Sequence, residues 1–201
     1  MSQNSKAFMN LRTLTTLGLL LALLAIFTFT SIGFIAITPL VAVTLMSIPV
    51  LVGLFQLGFQ AGLLLGFFFG LFSLLRALTP VQLLDPFFMN PLISVLPRVV
   101  VPCAAWGAYR GVLLIWRGAK GKAAAWSAGA LAGSLTNSVC VLGMLYIVYS
   151  ADLALLPEAN GAVWGMLGGI FLTNGLPEAV LNVILVPIIM GALGRFAGKR
   201  S

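Results

Sequence analysis

The chain has 201 residues, of which 61% are hydrophobic and only 7% charged, and its mean hydropathy is +1.13. A soluble domain carries roughly 25% charged residues, so a water-facing globule is excluded, and so is disorder, which needs low hydrophobicity and high charge. Eleven Lys+Arg against four Asp+Glu give +7 with no histidine, which removes imidazole metal ligands, His-ligated haem and His general bases.

What remains is a single membrane-embedded domain over residues 1–201. Lys6 and Arg12 precede an apolar run that mimics a cleavable signal. The run outlasts an h-region of roughly 7–15 residues and lacks a convincing small-x-small site, so it is expected to be a retained first span. No charged residue occurs over 13–75. One span takes about 20 residues, so this stretch holds about three, placed at 12–34, 39–55 and 57–76. Pro39 suits a helix start, and Pro49 is expected to kink the short second span. A fourth span is expected over 91–115 and a fifth over 122–149. The last stretch is too long for one straight span. Asn174-Gly175-Leu176-Pro177 looks like a break and a fresh start. The preferred reading is a re-entrant segment over 162–174 followed by a sixth span at 177–197; the alternative is one long kinked helix.

The fold class is thus all-α, a compact bundle of six transmembrane helices with both termini cytoplasmic. Lys6, Arg12, Arg110, Arg117, Lys120, Lys122, Arg195, Lys199 and Arg200 all fall on that side, as the positive-inside rule requires. The excess of base therefore marks a cytoplasmic edge and not a nucleic-acid surface. Asp85, Asp152 and Glu158 lie in the opposite loops, and Arg76 and Arg98 belong to the outer half.

Gly58, Gly62, Gly66 and Gly70 form a glycine ridge along the third span, and Ala125, Gly129 and Gly133 form another on the fifth; such ridges let helices approach closely. Gly18 and Ala22 repeat the spacing on the first span, where the patch either packs inward or docks another subunit. Cys103 and Cys140 lie in apolar runs and read as buried small side chains rather than a disulfide.

Polar residues inside spans carry the functional signal, because an arginine there costs about 2.5–3.5 kcal/mol on the insertion scale. Arg98 lies about 10 Å deep at 1.5 Å per residue, with Ser94 one turn above it on the same face. Glu178 is flanked by Asn174 and Asn182, Asn137 sits mid-way along the fifth span, and Tyr146 and Tyr149 lie toward its outer end. These groups are expected to converge in the outer leaflet between the fourth, fifth and sixth spans, as a pocket for a small carboxylate-bearing compound with hydroxyl and amide groups. The alternative is that Arg98 and Glu178 neutralise one another, that the asparagines bridge helices and that the tyrosines and Trp164 are interfacial anchors. Arg76, Gln82, Asp85 and Asn90 belong to a loop that either lies over the pocket mouth or is ordinary solvated chain.

Some chemistry is missing. Gly121-Lys122 has Trp116 where a phosphate-binding loop needs glycine, and Ala123 follows, so the chain does not hydrolyse ATP itself. No nucleophile–base pair, H-E-x-x-H or CxxC is present, so an enzyme is not expected, and no cofactor or metal is called for. No inverted repeat of a self-contained transporter is detected.

The pieces "SIPVLVGLFQLGFQAGLLLGFFFGLFSLL", "NPLISVLPRVVVP", "GSLTNSVCVLGMLYI" and "NGLPEAVLNVILVPII", in this order, resemble the substrate-specific S components of energy-coupling-factor vitamin transporters, most closely the pantothenate group. The resemblance spans about residues 40–195. It implies a six-helix plasma-membrane protein that captures its vitamin from outside and delivers it by toppling against a membrane coupling subunit powered by two cytoplasmic ATPases. It implies a site built on Arg98, Asn137 and Glu178, to which the residues themselves add Asn174, Ser94, Asn90 and Tyr146. It also implies docking through Gly18 and Ala22, where the family has Ala-x-x-x-Ala and this chain departs by a glycine. Pantothenate is the expected ligand; folate, cobalamin or a pyrimidine precursor, or a self-contained small transporter, are the alternatives.

Overall fold

The computed structural model describes residues 11–30, 33–36, 42–116, 118–159 and 162–198. Lys6, Pro39, Arg117, Lys199 and Arg200 lie outside the described residues. The chain is helical almost throughout. Among the described residues, five helical stretches are long and apolar enough to cross a membrane: Leu11–Phe29, Phe59–Ala77, Pro91–Ile115, Ala119–Ala154 and Val163–Gly194. A sixth apolar helix, Ser47–Leu57, is shorter.

Helix α1 (Leu11–Phe29) ends five residues before the expected limit at 34. A small antiparallel hairpin follows, β1 (Phe34–Ala36) paired with β2 (Ala42–Thr44). The second span is therefore not 39–55. Helix α2 (Ser47–Leu57) has 11 residues, about 16 Å at 1.5 Å per residue, well short of the bilayer core. Pro49 does not kink it. It stands in the first turn, where its missing N–H leaves no intrahelical bond unmade. Residues Ser47 to Leu54 of α2 are all buried, as befits a helix surrounded by its neighbours.

Gly58 is the junction between α2 and α3 (Phe59–Ala77), at φ 99°, a left-handed conformation that L side chains disfavour. It is thus the corner and not part of the ridge. The ridge proper is Gly62, Gly66 and Gly70. A Cβ on Gly62 would lie 2.4 Å from the Leu54 side chain, one on Gly66 2.5 Å from the Arg98 carbonyl, and one on Gly70 2.6 Å from the Val95 Cα. Helix α3 thus lies against α2 at one end and against the fourth span at the other.

The fourth span is α4 (Pro91–Ser94) followed by α5 (Leu96–Ile115). Helix α6 (Ala119–Ala154) continues past the expected 149, with a non-helical Tyr149 (φ −128°, ψ 25°) at that point. It packs along both α5 and the last helix. Gly129 lets α6 close on α5 and α2, since a Cβ there would meet Phe55 at 2.6 Å and the Ala105 carbonyl at 2.9 Å.

The C-terminal stretch takes the alternative form. Helix α7 (Val163–Ile170), a π turn (Phe171–Gly175) and α8 (Leu176–Gly198) run on as one helical stretch, not as a re-entrant segment and a separate span. The π turn explains how a proline is tolerated. It widens the backbone just before Pro177, whose ring would otherwise press on the Thr173 carbonyl. Among the described residues, two apolar clusters fill the bundle. One joins Leu24, Leu51, Leu54, Leu65 and Val186; the other joins Leu84, Ile93, Leu145, Leu153 and Ile170 near the end that carries residues 78–90.

Candidate functional site

Between these clusters is a cavity with about 830 Å³ of empty space, counting the open volume at its mouth. Arg98, Asn137, Asn174 and Glu178 all line it, together with Thr44, Met46, Phe69, Ser73, Phe88, Ser138, Val141, Leu142 and Ile170. Arg76, Gln82 and Asp85 line it as well, so the loop after α3 borders the cavity.

Arg98 is buried, 7% exposed, and does not snorkel. Its position follows from the local sequence Leu96-Pro97-Arg98. Pro97 has no N–H to give the carbonyl of Ile93, four residues back. That carbonyl instead accepts from Arg98 Nη1 at 2.6 Å. The guanidinium lies 5.4 Å from the Phe69 ring centroid and 5.3 Å from that of Phe88, within cation–π range. Its Nε is buried without a hydrogen-bond partner.

Glu178 opens α8 and is also buried. Thr44 Oγ1 donates to its Oε2 at 3.2 Å and Ser47 Oγ donates to its Oε1 at 3.1 Å. Asn174 belongs to the π turn; its Nδ2 donates to Thr173 Oγ1 at 2.9 Å, while its Oδ1 is buried and unpartnered. Asn137 Oδ1 is buried and unpartnered too. Leaving such atoms unmet costs about 1–3 kcal/mol each. The cavity is thus bordered by a guanidinium, amide, hydroxyl and carboxyl side chains as well as by apolar ones.

Three expected site residues stand outside the lining. Ser94 is buried and donates to the Phe88 carbonyl. Asn90 caps α4, accepting from the Leu92 N–H at 3.0 Å, and its Nδ2 donates to the Tyr149 hydroxyl at 3.4 Å. The Tyr146 ring lies 4.1 Å from that of Trp164. In the loop, Asp85 Oδ2 accepts from the Val81 and Gln82 N–H groups at 2.8 and 2.9 Å, which shapes the turn. Gly18 and Ala22 lie on the exposed face of α1, and a Cβ on Gly18 would meet nothing within 4 Å. Of the two readings of that patch, inward packing is set aside.

Sequence reasoning missed Thr44, Ser47, Ser73 and Ser138. Thr44 and Ser47 were hidden by the misplaced second span. The serines carry no signal of their own, because hydroxyls are commonly buried in spans by bonding their own helix, as Thr28 does with the Leu24 carbonyl at 2.8 Å.

Comparison with known proteins agrees with this architecture. The family model for the ECF transporter substrate-specific component matches residues 12–190. The pantothenic acid transporter PanT of Lactococcus lactis subsp. cremoris is 29% identical over 167 residues, covering 75% of this chain and 76% of that protein. The chain therefore belongs to the family of ECF transporter substrate-specific components, and is a multi-pass cell-membrane subunit of vitamin uptake and not a member of an enzyme family.

Proposed function

We propose that this chain is the substrate-capture subunit of an ATP-driven importer of pantothenate. The vitamin enters the cavity between α3, α5, α6 and the Phe171–Gly198 stretch from outside the cell. Its carboxylate pairs with Arg98, and its hydroxyls and amide N–H meet Asn137, Asn174 and Glu178. The termini and the α5–α6 turn face the cytoplasm, following the positive-inside distribution of Arg12, Arg110, Lys120 and Lys122. The exposed Gly18–Ala22 face of α1 docks on a membrane coupling subunit driven by two ATPases. The relative named as a pantothenic acid transporter supports the choice of vitamin.

The observation that carries the reading is a buried arginine, tethered through Nη1 to a backbone carbonyl, that lines a cavity. Intramembrane cations of this kind mark ligand sites. Calorimetric titration of purified protein with pantothenate tests it. Arg98→Ala is expected to weaken binding by at least about tenfold, the loss of a charge-assisted hydrogen bond. Equal binding by wild type and Arg98→Ala would overturn the assignment.

A further inference from the structure

Arg98 and Glu178 carry opposite charges, are both buried, and line one cavity. In a site screened from water, opposite charges attract far more strongly than they do in solution, so the two side chains have every incentive to close on each other. Their hydrogen bonds go elsewhere. Arg98 Nη1 holds the Ile93 carbonyl. Both oxygens of Glu178 are occupied, Oε2 by Thr44 Oγ1 and Oε1 by Ser47 Oγ. Ser47 is itself oriented. Asn182 Nδ2 donates to Ser47 Oγ at 2.8 Å, and the same amide donates to Ser134 Oγ at 2.7 Å. A hydroxyl has one hydrogen, so with its oxygen accepting from Asn182, that hydrogen is directed to the carboxylate.

We infer that Thr44, Ser47 and Asn182 are positioning residues: they clamp the Glu178 carboxylate away from Arg98 and so keep the guanidinium available to an anionic ligand. The inference rests on the reading of the cavity as a carboxylate site. The clamp draws on β2, α2, α6 and α8 together. Thr44 ends β2, so the position of the hairpin and the availability of the arginine are linked through one carboxylate.

The test measures affinity for pantothenate and for its neutral alcohol analogue, in which CH2OH replaces the carboxylate. Four proteins are compared: wild type, Thr44→Val/Ser47→Ala, Glu178→Gln, and the triple variant. In the double variant Glu178 swings to Arg98: the alcohol loses only its contact with Glu178, while the acid loses the arginine as well and weakens by at least about tenfold more than the alcohol does. In the Glu178→Gln background the same two substitutions cost the acid less than about threefold, because glutamine has no charge to offer the arginine. The single variants Thr44→Val and Ser47→Ala show the same acid-selective loss at smaller size. Equal losses for acid and alcohol, or equal losses in both backgrounds, would reduce the clamp to ordinary packing and overturn the inference.

Ligand-free protein gives an independent readout. The infrared carboxylate stretch of Glu178, assigned by its disappearance in Glu178→Gln, shifts in the double variant and shifts again when Arg98→Gln is added to it, because a carboxylate paired with the guanidinium responds to that change. A double-variant band that Arg98→Gln leaves in place overturns the clamp whatever the ligand is. Wild-type protein that binds neither acid nor alcohol overturns the pantothenate reading alone, and the infrared result then decides the clamp.

Discussion

Arg98 is held by a carbonyl that Pro97 leaves free, so a residue with no polar side chain sets the geometry of the charged one. Replacing Pro97 with alanine restores an N–H that competes for the Ile93 carbonyl. The expected result is weaker pantothenate binding, by about three- to tenfold, the scale of one displaced hydrogen bond. Thermal stability is expected to stay level or rise, since the helix gains a backbone bond. Calorimetry and a melting curve in detergent check both. Arg98, Asn137, Asn174 and Glu178 were legible in the sequence because each interrupts an apolar run, where a polar group has few reasons to be. Which of the neighbouring polar residues face the cavity was not legible. Ser94 and Asn90 share the local sequence of Arg98, yet they are spent on the Phe88 carbonyl and on a helix cap. The deciding quantity is where the backbone breaks, and Pro91 and Pro97 fix that only in three dimensions.

At the scale of elements, α3 reaches Arg98 through glycine. Gly66 meets the Arg98 carbonyl and Gly70 meets the Val95 backbone. Both contacts are with main chain, which cannot rotate away. Gly66→Ala and Gly70→Ala are expected to destabilise by about 1–3 kcal/mol through overpacking and to lower affinity, because they push the Arg98 segment off α3. Gly18→Ala, which meets no atom of this chain, is expected to leave the melting temperature within about one or two degrees, the effect of a neutral surface change. A scan of melting temperatures across the three variants checks the contrast. The glycine spacing on α3 announced this packing. The hairpin and the short α2 were invisible, since the uncharged stretch over 13–75 gives hydropathy no edge to detect. The C-terminal stretch was mis-weighted for a different reason. Gly175-Leu176-Pro177 does mark an irregularity, but a π turn absorbs it within one continuous helical run.

For the whole molecule, the charge pattern and the exposed small face of α1 argue together. Arg110, Lys120 and Lys122 flank the α5–α6 turn, while Arg76, Gln82 and Asp85, at the C-terminal end of α3 and in the loop after it, border the cavity. Gly18 and Ala22 lie on an open face of α1, where a coupling subunit's helix can approach closely. Gly18→Leu is expected to leave pantothenate affinity of the isolated protein unchanged while abolishing co-purification with the coupling subunit and its ATPases. Loss of both together would mean that the variant had damaged the bundle itself. The overall class was the most legible level, because a chain this apolar, with so few charges, has nowhere to fold but a bilayer.

The most direct measurement is a structure of the protein with pantothenate bound. The account predicts the carboxylate within hydrogen-bonding distance of the Arg98 guanidinium, with Glu178 still on Thr44 and Ser47. A vitamin bound away from Arg98, or an arginine closed onto Glu178 with the ligand in place, would contradict it.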